Sequence, residues 1–120
     1  MKVKIGCTGW SYSGWSGTFY PKDVKSSDRL KYYSQIFDIT EINSTFYKIP
    51  DKSITKRWHD DTPDNFRFTA KFPKIITHEK RLDDVSSEVF SFLASLTPLH
   101  QKISALVLQM PPSLDRKSVV

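Results

Sequence analysis

Glu41 and Asn43 in "EINSTFYKIP", Arg67 and Lys71 in "FRFTAKFP", and Gln109 in "LVLQM" are polar residues set into otherwise apolar, strand-like runs. Together they can hold and polarise a small anionic or polyhydroxylated molecule. Lys71 offers a point charge and Arg67 a planar fork for phosphate or carboxylate. Glu41 beside a cation stays ionised and orients a ligand; if burial raises its pKa it becomes a general base. Asn43 and Gln109 can orient a hydroxyl or a carbonyl. His78, in "ITHEKR", adds a candidate acid/base. Set against this, Glu41 and Lys71 can simply neutralise each other on the polar side of a sheet, and a lone loop histidine is more often a surface residue.

A second set is aromatic. The segment "TGWSYSGWSGTFYP" carries Trp10, Tyr12, Trp15, Phe19 and Tyr20 among serines and glycines, and Tyr47 follows Phe46 further on. A flexible linker would lack those rings. The segment is therefore an ordered loop: either a lid in which Trp10, Tyr12, Trp15 and Tyr20 meet a ligand together with Tyr47, or a plug for one end of the sheet.

Other chemistries find little support. His59, His78 and His100 have no metal-ligand spacing such as HExxH, and the glycines match neither a Walker loop nor GxGxxG. We expect no metal and no cofactor. The one cysteine, Cys7, excludes an intrachain disulfide and reads as a small buried hydrophobe. No apolar run approaches the roughly 20 residues that span a bilayer, and the start "MKVKIGCTGW" is too short in apolar residues for a signal peptide. A cytoplasmic protein without membrane contact is the expectation. The net charge of +5 suits an anionic ligand or nucleic acid, and equally serves solubility. A length of 120 residues with 38% hydrophobic content points to a single domain over 1–120.

These residues need elements to position them. Residues 3–7 read as a strand running into the aromatic loop. "SSDRLKYYSQIF" starts with N-cap residues and repeats Leu30, Tyr33 and Phe37 at helical spacing. "ITEINSTF" is a second strand, with Ile39, Ile42 and Phe46 as core; "KSITKRWHDD" is a short helix with Ile54 and Trp58 one turn apart. In "FRFTAKFP", Phe66, Phe68, Ala70 and Phe72 alternate with Arg67, Thr69 and Lys71, which predicts a strand with one buried face. "SEVFSFLASL" predicts a helix with Val89, Leu93 and Leu96 on one stripe, and "ISALVLQM" a fourth strand stopped by Pro111 and Pro112.

Strands alternating with helical crossovers imply a parallel sheet of right-handed βαβ units. The C-terminal ends of such strands share one edge, where α/β proteins bind ligands. Glu41, Asn43, Arg67, Lys71 and Gln109 are expected to converge there under the aromatic loop.

In order and spacing, "GWSYSGWSGTFYP", "LKYYSQIFDITEINSTFYKIP", "FRFTAKFPKIITHEKRL" and "LVLQMPPS" resemble the domain-of-unknown-function family 72, the YecE-like proteins. The resemblance covers nearly the whole chain. It implies a TIM-barrel-like fold, and no reaction, substrate or cofactor. It places the family's polar strand-end positions on Glu41, Asn43, Lys71 and Gln109, its third-loop "TH" on Thr77 and His78, and its aromatic loop on Trp10, Tyr12, Trp15 and Tyr20. A complete (β/α)₈ barrel takes about 250 residues. We therefore expect the N-terminal half of one: an α/β half or truncated barrel with four parallel strands and three helices. Open edges and an open inner face favour a homodimer.

Three functional readings follow. The first is a pocket for a small anionic or polyhydroxylated ligand, with Glu41, Lys71 and His78 as reactive groups. The second is a nucleic-acid-binding module that stacks Trp10, Tyr12, Trp15 and Tyr47 on bases. The third is a truncated form without activity of its own.

Overall fold

The structure, a computed structural model, describes residues 2–113. Four strands, β1 (Gly6–Thr8), β2 (Ile39–Ile42), β3 (Arg67–Lys71) and β4 (Ile103–Val107), form one sheet in the order β1-β2-β3-β4. Every pairing is parallel. Three α-helices provide the crossovers: α1 (Arg29–Ile36), α2 (Lys52–Asp60) and α3 (Ser86–Ser95). Sequential order with one helix per crossover is the arrangement of half a (β/α) barrel.

Alternation in β3 divides the sheet into two faces. Phe68 and Ala70 are fully buried, as is Phe66 just before the strand, whereas Arg67, Thr69 and Lys71 are partly exposed. In β2 the buried residues are Thr40 and Ile42, and Glu41 faces the other way. The buried face packs on the helices through Leu30 and Tyr33 of α1 and Phe92 of α3, with Leu96 and Leu99 beyond it. The opposite face, which would line the inside of a closed barrel, remains open.

Tyr33 couples α1 to two strands. Its buried hydroxyl accepts from the Cys7 N–H at 2.6 Å and donates to the Ile39 carbonyl at 2.9 Å. Gly6 permits this approach, because a Cβ there would overlap the Ile39 carbonyl oxygen and lie 2.9 Å from the Tyr33 hydroxyl. Lys102 does similar work at the far side of the sheet. Its buried ammonium donates to the carbonyls of His59, at 2.7 Å, and Thr62, at 2.8 Å, and so satisfies the chain end of α2. Burial holds the Lys102 amine below its usual pKa.

Several expected boundaries move. The first strand begins at Gly6, and Val3 and Ile5 are 68% and 70% exposed, because pairing with β2 starts only at Ile39. The second strand ends at Ile42 rather than 46. Asn43 turns to the α region (φ −94°, ψ −25°) and a 3₁₀ turn covers Ser44–Phe46. Glu41 and Asn43 consequently do not share a strand face; a one-residue alternation holds only while the chain is extended. Asp28 precedes α1, but its side chain makes no capping bond, since the helix is entered through a 3₁₀ turn at Ser26–Asp28. In α2 the buried residue is Thr55, which donates to the Ser95 carbonyl at 2.8 Å, and Ile54 is exposed. Of the stripe expected in α3, Leu96, just past the helix end, is buried, but Leu93 faces outward with Phe90, and Phe92 takes the core position instead. Leu93 lines an apolar cavity of about 420 Å³ with Leu96, Thr97, His100, Ile103 and Leu106, between the end of α3 and β4.

Candidate functional site

The loops after β1, β2 and β3 all leave from the C-terminal strand edge. Gly9 starts the first with φ +80°, a left-handed conformation that favours glycine, and its N–H donates to the Glu41 carbonyl at 2.9 Å. This turn folds the chain back so that the Tyr12 hydroxyl donates to the Thr8 carbonyl. The second loop is held by Thr45. Its buried hydroxyl lies 3.2 Å from the Ile42 carbonyl and 2.7 Å from that of Lys71, which ties the turn after β2 to the end of β3. Between the two loops lies a cleft of about 370 Å³ lined by Gly9, Trp10, Ser11, Tyr12, Asn43, Ser44 and Tyr47.

Of the residues singled out in the sequence, Trp10, Tyr12, Asn43 and Tyr47 meet in this cleft. Tyr47 is 66% and Tyr12 44% exposed, so both present ring surface to solvent. The rest of the aromatic loop turns into the core. Trp15 packs against Tyr12, Phe19 and Tyr20, and Phe19 reaches Tyr32, Tyr33 and Phe37 along α1. Tyr20 is buried beneath Arg29, with its hydroxyl on the Trp10 carbonyl. Burial pushes its phenol up to about 12, against the pull of the Arg29 guanidinium. Trp10 serves both ends: it lines the cleft and packs edge-on against Trp58 at 5.4 Å. The loop is thus wall and plug together.

Lys71 and His78 meet around one ring next to the cleft. The Lys71 ammonium lies 5.9 Å from the centre of Phe46, and the His78 imidazole stands edge-on to the same ring at 5.0 Å. Phe46 in turn packs edge-on against Tyr47 at 5.1 Å. A π-helical turn, Ile75–Glu79, sets His78 in place, with Nδ1 at 2.7 Å from the hydroxyl of buried Thr77. Arg81, Leu82 and Asp84 follow with positive φ, a run of left-handed non-glycine residues that stores strain. π turns and such strain cluster where a loop is shaped for a task.

Glu41, Arg67 and Gln109 lie elsewhere. Register puts Glu41 opposite Thr69 and so on the open face with Lys71, but no ion pair links the two. Glu41 instead accepts from the Thr8 hydroxyl at 3.2 Å and lines a hollow of about 300 Å³ on the open sheet face with Lys4 and Thr69. Arg67 is the first residue of β3, at the opposite edge, where its guanidinium donates to the carbonyls of Asp64 and Phe66. Strand parity groups Arg67 with Lys71, but the strand's length separates them. Gln109 lies exposed two residues beyond β4. Among the described residues no group of three or more His, Cys, Asp or Glu is placed to hold a metal ion.

Gly9, Ser11 and Ser44 also line the cleft, and small residues in a loop carry no signal for this in the sequence. Phe46 reads there as core, and no pattern marks Lys74. The alternation of rings and lysines in "FYK" and "FPK" is the available clue.

A parallel sheet in sequential order, with loops gathered at its C-terminal edge, defines a TIM-barrel-like α/β protein of which four strands are present. The chain belongs to the family described as protein of unknown function DUF72, whose sequence profile matches residues 4–120. It is 32% identical to the UPF0759 protein YecE of Escherichia coli K12 over 98% of its own length and 40% of that protein's. It is 36% identical to the UPF0759 protein YunF of Bacillus subtilis, over 96% and 42% respectively. A solved DUF72 family protein from Thermotoga maritima superposes with a TM-score of 0.82 at 33% identity, over 99% of this chain and 49% of that one. Another, from Enterococcus faecalis, gives 0.69 at 25% identity, over 97% and 43%. The chain spans less than half the length of these relatives. No helix among the described residues is long and apolar enough to cross a membrane.

Proposed function

We propose that the protein binds a small anionic or polyhydroxylated molecule in the cleft between the loops after β1 and β2. The observation that carries this reading is the lining: two exposed tyrosine rings and a tryptophan beside the amide of Asn43 and the hydroxyls of Ser11 and Ser44. Rings offer apolar faces to the C–H side of a polyol, and the small polar groups fix its orientation. Lys71 and His78 supply charge and a proton-exchanging group from the adjacent loop, and Glu41 a carboxylate on the open sheet face. In a complete barrel that face turns inward, so the second half, supplied by further chain or by another copy, would enclose Glu41 near the cleft.

Trp10 reports on this directly. Titration with neutral polyols, carboxylates and phosphates is expected to give saturable changes in tryptophan fluorescence that Asn43→Ala with Tyr47→Ala removes. A flat response to every member of the panel overturns the reading. Tight binding of a single-stranded oligonucleotide, falling steeply and log-linearly with salt, would instead assign the rings to base stacking.

A further inference from the structure

The basic flank of the cleft narrows the choice of ligand. Lys71 and Lys74 each lie over one ring of the Phe46–Tyr47 pair, Lys71 at 5.9 Å from the centre of Phe46 and Lys74 at 5.8 Å from that of Tyr47. Tyr47 also walls the cleft. The exposed Tyr47 ring therefore borders both the polar lining and the Lys74 ammonium, and Phe46, packed against it, carries the ammonium of Lys71. The ion pairs among the described residues use Lys31, Lys56, Arg57, His59 and Lys80; neither Lys71 nor Lys74 belongs to one. Cations held over rings without a carboxylate partner keep their charge available to an incoming anion, since a ring neutralises nothing.

The kind of anion follows from the donors. Planar carboxylates are best met by the arginine fork, whereas lysines act as point charges without a preferred plane. The arginine of β3 is engaged at the far strand end, on the carbonyls of Asp64 and Phe66. Two lysines beside a histidine suit a tetrahedral dianion. The rest of the cleft suits the polyhydroxylated body that such a group would be attached to.

Resting on the reading above, we propose that the cleft takes a small sugar phosphate, its carbon skeleton against Tyr12 and Tyr47 and its phosphate held by Lys71 and Lys74. The Phe46–Tyr47 pair is then a platform that sets the two ammonium groups at the cleft's margin. Thr45 fixes that platform by its bonds to the carbonyls of Ile42 and Lys71.

Calorimetric titration of the full chain tests this with glucose 6-phosphate, ribose 5-phosphate and glycerol 3-phosphate, each beside its dephosphorylated counterpart, and with inorganic phosphate alone. At least one ester is expected to bind about tenfold or more tighter than its neutral counterpart. Lys71→Gln and Lys74→Gln should each weaken it by about tenfold to a hundredfold, the range for losing a hydrogen bond to a charged group. Tyr47→Ala should weaken the ester far more than inorganic phosphate. Unchanged melting of the two lysine variants separates loss of binding from loss of fold. If neutral polyols bind as well as the esters, and the lysine variants change nothing, the phosphate assignment fails while the cleft stands. If no ester and no polyol binds, both fall.

Discussion

The Thr45 hydroxyl reaches the Lys71 carbonyl at 2.7 Å, so a turn that follows one strand is fastened to the last residue of the next. Through this bond the side chains of Phe46, Tyr47, Lys71 and His78 become one cluster rather than four loop residues. Thr45→Val keeps the shape and removes the donor. It is expected to lower stability by about 1–3 kcal/mol, the cost of stranding a buried acceptor, measured by urea denaturation. An unchanged midpoint would show that the loop is held by something else.

The approach of β1 to β2 should be as sensitive. Gly6→Ala drives a methyl group into the Ile39 carbonyl and crowds the Tyr33 hydroxyl, a misfit of the kind that costs about 1–3 kcal/mol or more. Tyr33→Phe, by a different route, leaves the Cys7 N–H and the Ile39 carbonyl without that partner and should cost a similar amount. Hydrogen exchange at Cys7 is expected to quicken in both variants. Wild-type protection in either would contradict the clamp.

Alkaline pH should unfold the protein through its buried phenols. Burial raises Tyr20 to about 12 and raises Tyr33 as well, above the ordinary value of 10.0. The fold therefore keeps protons that the unfolded chain releases, and this stabilising contribution is whole below pH 10.0 and lost on the way to about 12. Lys102 acts with the opposite sign. Its lowered pKa makes the fold release a proton first, so stability rises with pH in the window just below 10.5. Ultraviolet titration, followed alongside circular dichroism, should show the phenolates of Tyr20 and Tyr33 forming only with unfolding. Phenolates of Tyr20 and Tyr33 that form while the fold is intact would refute the assignment.

We propose self-association as the way an isolated chain of this length covers its open surfaces. Both β1 and β4 are edge strands, Val3 and Ile5 are exposed beside β1, and Leu108 is exposed after β4. Such edges invite pairing. Light scattering at micromolar protein is expected to give a dimer of the 13.9 kDa chain, with an interface above about 1,000 Å² on β1, β4 or the open face. A stable monomer would sink this proposal.

Alternation and element order are legible in the amino-acid sequence itself. "FRFTAKFP" dictates a two-faced strand because its apolar residues recur at period two, and the succession of strands and helices leaves a parallel sheet as the simplest solution. The same patterns mark the aromatic loop as ordered and place Tyr12, Asn43 and Tyr47 near one edge. Where each strand stops is not legible, because that depends on partners distant in the chain. β1 starts where β2 offers a neighbour, and β2 ends where Thr45 finds the Lys71 carbonyl. The end of β2 turns Asn43 into a cleft and brings Phe46 to Lys71, which does not pair with Glu41, and the length of β3 leaves Arg67 at the opposite edge. Period and composition are local properties of the chain; which polar groups meet is settled by strand length and register, and these are properties of the assembled sheet.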